Sequence, residues 1–159
     1  MKQWRLIVAA TLLFFAWKGN EIDLPWPPSD GGGRQVVKPE PETLEWVEDV
    51  PVERMLPKDR LYLADFYDAM AWVVMRDKLR DQNQKVLKTN EDFVRFHAGS
   101  LQLCIDRGDV GKTPGLGEAV DQVFVDALGD DAIPLGDDEL DMLIAACNAL
   151  SWRFSIHGE

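Results

Sequence analysis

The chain has 159 residues, with 17 Lys and Arg against 28 Asp and Glu, for a net charge of −11 at pH 7. That length holds one modest domain with appendages. An acidic body with no basic stripe excludes a nucleic-acid partner, because phosphates would repel it, and it disfavours docking of the body on anionic lipid.

The first segment runs from Leu6 to Trp17, apolar throughout, behind a short leader carrying Lys2 and Arg5. A charged start followed by a dozen apolar residues is the pattern of a secretory signal or signal-anchor. From Trp4 to Trp17 a helix spans only about 21 Å, short of the ~30 Å of a bilayer core. Length therefore favours a removable signal. The flank favours retention, since bulky Trp17 and charged Lys18 stand where a cleavage site wants small residues. A Trp and a cation at each end suit interfacial anchoring, and Arg5 and Lys18 can snorkel to extend the span. The expectation is a transmembrane signal-anchor over residues 1–18, with a cleaved signal as the alternative. Lys2 and Arg5 keep the N-terminus cytoplasmic and put the body outside the cytoplasm.

Residues 19–56 read as a linker. Pro25, Pro27, Pro28, Pro39, Pro41 and Pro51 remove backbone donors, and Gly31, Gly32 and Gly33 form a flexible joint. A coil of about 39 residues from Lys18 reaches on the order of 35 Å, enough to hold a domain clear of a membrane. Within it, residues 43–56 carry enough apolar side chains to dock on the body as a short helix or strand.

Residues 57–159 read as the body, with four amphipathic helices. The first, over 58–78, places Leu63, Phe66, Tyr67, Met70, Val73 and Val74 on one side at a period near 3.6. Its polar side carries Asp65, Asp68 and Arg76, with Trp72 among them. An aromatic flanked by charges is a candidate anchor for a protein partner. The second helix begins at a capping-box signal, Thr89 with Asp92, and ends near Gly108. The third spans 116–128, stopped by Gly129. The fourth follows Gly136, with Asp137 or Asp138 as N-cap and an apolar stripe that includes Leu140, Leu143, Cys147, Leu150 and Phe154. Trp152, Ala145 and Ala149 lie opposite that stripe. Strand signals are scarce, so the fold class is all-α: a small bundle of about four helices behind an N-terminal hydrophobic helix and a Pro-rich linker.

Candidate chemistry is thin. The run from Asp106 to Thr113 resembles the end of a phosphate-binding loop, but Asp106 stands where that loop needs glycine. Pro114 and Gly115 also block the helix that should follow Lys112 and Thr113. His97 shares the inward face of the second helix with Cys104, about 10.5 Å away along the axis, too far for a nucleophile–base hydrogen bond within one helix. Catalysis by His97 therefore needs a carboxylate from another helix, as in an envelope-associated hydrolase. Cys104 and Cys147 lie on inward faces of different helices, and an extracytoplasmic location makes them a candidate disulfide. Asp130, Asp131, Asp137 and Asp138 cluster hard oxygen ligands suited to calcium, without the order of acids and glycine of an EF-hand loop.

No cofactor is expected, and no motif ties the chain to a family. The reading is a membrane-tethered, extracytoplasmic helical module that meets the membrane through its N-terminal helix and a protein through its body. The hydrolase using His97, or a secreted binding protein released by signal cleavage, is the alternative.

Overall fold

The computed structural model describes residues 38–156. The apolar leader, the triple glycine and His157 lie outside the described residues. Five α-helices and two short 3-10 turns make up the fold, with no strand among the described residues. The protein is all-α there. None of these helices is long and apolar enough to cross a membrane.

α1 is one turn, Pro41–Glu45, started by Pro41, whose fixed φ suits a first helical position. The chain then enters a 3-10 turn at Val52–Arg54. Val47, Val50 and Val52 are buried to 1 % exposure or less. Arg153 fastens this stretch from the far end of the chain. Its guanidinium donates to the carbonyls of Glu48 and Val50 at 3.3 and 3.4 Å and pairs with Glu53 at 3.1 Å. The hydrophobic core thus extends N-terminal of residue 57.

α2, Pro57–Lys78, buries Leu63, Ala64, Tyr67, Met70, Ala71 and Val74, a spacing of threes, fours and ones that keeps one face inward. Phe66 and Val73, expected inward, are only half-buried, because the buried face is turned toward the small residues Ala64 and Ala71. These let α5 approach closely. α3, Asn90–Arg107, opens on the expected capping box: Thr89 Oγ1 accepts from the Asp92 amide at 3.2 Å, and Asp92 accepts from the Thr89 amide at 3.1 Å. It closes at Gly108, where φ is 77°, a left-handed conformation that costs glycine nothing.

α4 is Leu116–Leu128 and α5 is Asp137–Ser155. The N-cap of α5 is Gly136, not Asp137 or Asp138. Glu139 reaches back to accept the Gly136 amide at 3.0 Å. That frees both aspartates to sit in the first turn, where the helix dipole favours negative charge.

α5 packs along α2 and against α4, while α3 packs on α4. Ser151 Oγ donates to the Ala64 carbonyl at 2.8 Å across the α2–α5 contact. Ala149 is fully buried and Trp152 half-buried, so the side of α5 opposite its main apolar stripe is also covered. The aromatic centre of the core is Tyr67, Phe93, Phe124 and Phe154, all at 2 % exposure or less.

Candidate functional site

His97 lies at that aromatic centre. It has no exposed surface. Its Nε2 is 3.0 Å from Tyr67 Oη. Phe124 meets the imidazole edge-on at 4.9 Å between ring centres, Phe93 stacks at 6.2 Å, and Tyr67 stacks in turn on Phe154 at 5.6 Å. Burial pushes the Tyr67 phenol well above its ordinary range, so its hydroxyl stays protonated and available to donate. His97 Nδ1 makes no hydrogen bond, and the nearest carboxylate oxygen, of Asp121, stands 3.7 Å away. A hydrolytic role needs this imidazole in an open cleft beside an acid. An acid is nearby, but the ring is sealed.

The two cysteines are free. Cys147 is wholly buried on α5, whereas Cys104 is half-buried on α3, where its neighbour is Tyr62 of α2. The disulfide expected from their inward placement is not formed in the structure. Cys104 Sγ instead contacts Tyr62 Oη at 3.6 Å, and Tyr62 also donates to Asp109 at 3.3 Å. Burial pushes the Cys104 thiol up, with the Tyr62 hydrogen bond opposing. Burial, together with Cys104 and Asp109, also pushes the Tyr62 phenol up. A thiol held protonated is a poor nucleophile at neutral pH.

The acidic loop is held by contacts that were not legible in sequence. Asn90 Nδ2 donates to the Asp131 carbonyl at 2.8 Å, and Asn90 Oδ1 accepts the Ile133 amide at 2.9 Å and that of Glu91 at 3.0 Å. The Asn90 amide also donates to the Ile133 carbonyl, and the Leu135 amide to the Lys88 carbonyl. These bonds lay the segment before α3 against the segment before α5, with one antiparallel bridge between Thr89 and Pro134. Asp137 is paired with the buried amine of Lys85 at 3.4 Å. Among the described residues, no three or more His, Cys, Asp or Glu side chains are grouped to hold a metal ion, and Asp130, Asp131, Asp137 and Asp138 form no such group.

Two further buried carboxylates hold loops. Asp77 accepts the amides of Val86 and Leu87, both at 2.9 Å, and shapes the turn out of α2. Asp59 accepts the Gly111 amide at 3.1 Å. A Cβ at Gly111 would lie 2.9 Å from that carboxylate oxygen, which accounts for glycine there. The stretch resembling a phosphate loop therefore turns its backbone inward onto an acid, an arrangement that repels phosphate.

The outer face of α2 is different in kind. Leu61, Asp65, Asp68, Trp72, Arg76 and Leu79 recur at intervals of three or four and so form one line along the helix. Leu61 is 53 % exposed, Trp72 63 % and Leu79 80 %. Sequence reasoning singled out Trp72 and its three charged neighbours. It missed Leu61 and Leu79, which share their line and could have been found by continuing the same spacing in both directions. Elsewhere, Phe93, Val94, Phe124, Val125 and Leu128 line an open groove of about 470 Å³ between α3 and α4. Asn90, Glu91, Arg95 and Asp130 also line it, and of these Asn90 is already bonded within the fold.

Compared with known proteins, the chain matches no family model, no curated protein and no solved structure.

Proposed function

We propose that the chain is a membrane-tethered interaction module whose helical body, held outside the cytoplasm, presents the outer face of α2 to a protein partner. The observation that carries this reading is the exposed line Leu61, Trp72 and Leu79. Single exposed apolar residues are ordinary, but three on one helix line, with a tryptophan in the middle, make the kind of anchor that dominates binding at interfaces. The tether rests on the apolar run from Leu6 to Trp17 with its flanking cations. The sealed position of His97 gives the hydrolase alternative no support.

The test is a photo-crosslinking amino acid placed at position 72 of the full chain in cells, with position 102 on the exposed surface of α3 as control. A discrete adduct from 72 and none from 102 supports a docking face. Equal, diffuse labelling from both positions sinks it. Fractionation supplies the test of the tether: full-length mass in alkali-washed membranes agrees with it, and a shortened soluble species points to the secreted alternative.

A further inference from the structure

We propose that the partner received by α2 is a second copy of this chain, laid antiparallel about a two-fold axis near Met70. This rests on α2 being the docking face, and adds to it the identity of the occupant. The charge order along the exposed line carries the argument. Asp65 and Asp68 stand in its N-terminal half and Arg76 in its C-terminal half. Turn a second helix end for end about Met70 and the line matches itself. Leu61 faces the partner's Leu79, Asp65 faces the partner's Arg76, and Asp68 faces the partner's Trp72. Both tryptophans then fall about 3 Å along the helix from the axis and lie side by side at its centre. In a parallel pairing the same line sets acid against acid. An isologous contact of this kind is what a two-fold dimer requires.

Asp65, Asp68 and Arg76 also engage groups of their own chain, so the intermolecular pairs would be shared with existing ones. The apolar line is about 27 Å long on a single helix. Such a contact falls at the small end of specific interfaces, so association is weak and concentration-dependent.

The test uses the full-length chain purified in detergent, in two differently labelled copies, with proximity measured by energy transfer over a concentration series. Four samples decide it: wild type, each of the single variants Asp65→Arg and Arg76→Asp, and an equimolar mixture of the two variants. In the antiparallel pair each variant alone opposes like charges at both contacts, whereas the mixed pair restores opposite charges at both. Wild type should associate, each variant should do so about tenfold more weakly, and the mixture should recover. Circular dichroism checks that the variants remain helical. Should a variant misfold, Leu61→Cys in one copy and Leu79→Cys in the other, both at exposed positions, should form a disulfide between copies that neither forms with its like. Wild-type copies that never associate overturn the proposal. So does association untouched by the charge reversals, or a mixture that fails to recover. If position 72 crosslinks to a different protein while the copies stay apart, the second copy falls and the docking face stands.

Discussion

Tyr67 Oη and His97 Nε2 are 3.0 Å apart, and neither side chain makes another hydrogen bond. Each is the other's means of tolerating burial. A buried polar group stripped of its partner costs about 1–3 kcal/mol, while replacing both partners by apolar groups of similar shape can be near neutral. Tyr67→Phe should therefore destabilise the protein by roughly that 1–3 kcal/mol. Tyr67→Phe combined with His97→Phe should cost less than the sum of the two single changes. Urea denaturation of the four proteins in the cycle measures the coupling. Strict additivity would mean that the two groups do not depend on each other.

Asn90 does more than begin a helix. It is 7 % exposed, and its amide spans two loops far apart in sequence. Asn90→Ala removes three side-chain hydrogen bonds and leaves the Asp131 carbonyl and the Ile133 amide without these partners. A loss of about 2–3 kcal/mol follows. The effect should be local first, so limited proteolysis should cut within 129–136 in the variant before the rest of the fold opens. Resistance equal to wild type at that loop would show that the backbone bonds alone hold it.

The bundle itself was legible because its signals are local. The bounds of α4 follow from an apolar period of 3.6 ended by Gly129, and the start of α3 follows from Thr89 and Asp92. What escaped were relations between residues distant in the chain. Nothing near Asn90 indicates that it will meet Ile133. Nothing near Cys104 indicates that its neighbour is Tyr62 rather than Cys147. Gly136 displaced the aspartates as N-cap because Glu139, three residues on, reaches its amide. At the candidate site the exposed Trp72 could be read from its charged surroundings, but Leu61 and Leu79 look like core residues to any rule that assigns leucine inward.

Tyr67 and Cys147 are both buried neutral, and burial pushes both groups above their ordinary values of 10.0 and 9.0. Their linkage has a definite sign. The unfolded chain releases these protons first as pH rises, so it binds fewer protons than the native state and stability falls with pH. The contribution is complete below the ordinary thiol value of 9.0 and is lost progressively above it. Unfolding free energy measured from pH 7 to 10.5 should decline, and Cys147→Ala should decline less over that span. A parallel decline in the two proteins would remove Cys147 as a cause. In the same range Cys104, half-buried, should be alkylated before Cys147, which should react only on unfolding.

The stretch between Pro41 and Leu56 decides where the folding unit begins. Its prolines resemble those of a tether, yet Val47, Val50 and Val52 have almost no exposed surface and Met55 has 7 %. Burying a valine contributes about 1.5–3 kcal/mol, so the three together supply roughly 5–9 kcal/mol. That is comparable to the whole stability of an ordinary domain, about 5–15 kcal/mol. A chain shortened to begin at residue 57 also leaves the Arg153 guanidinium without Glu48, Val50 and Glu53. It should lose cooperative unfolding and sharp side-chain signals while keeping helical circular dichroism, and should bind a hydrophobic dye. A chain beginning at residue 38 should melt as a single transition. If the shorter chain melts with equal cooperativity, the valines are cover rather than core, and the face of α5 beneath them joins the outer line of α2 as a second surface to be mapped.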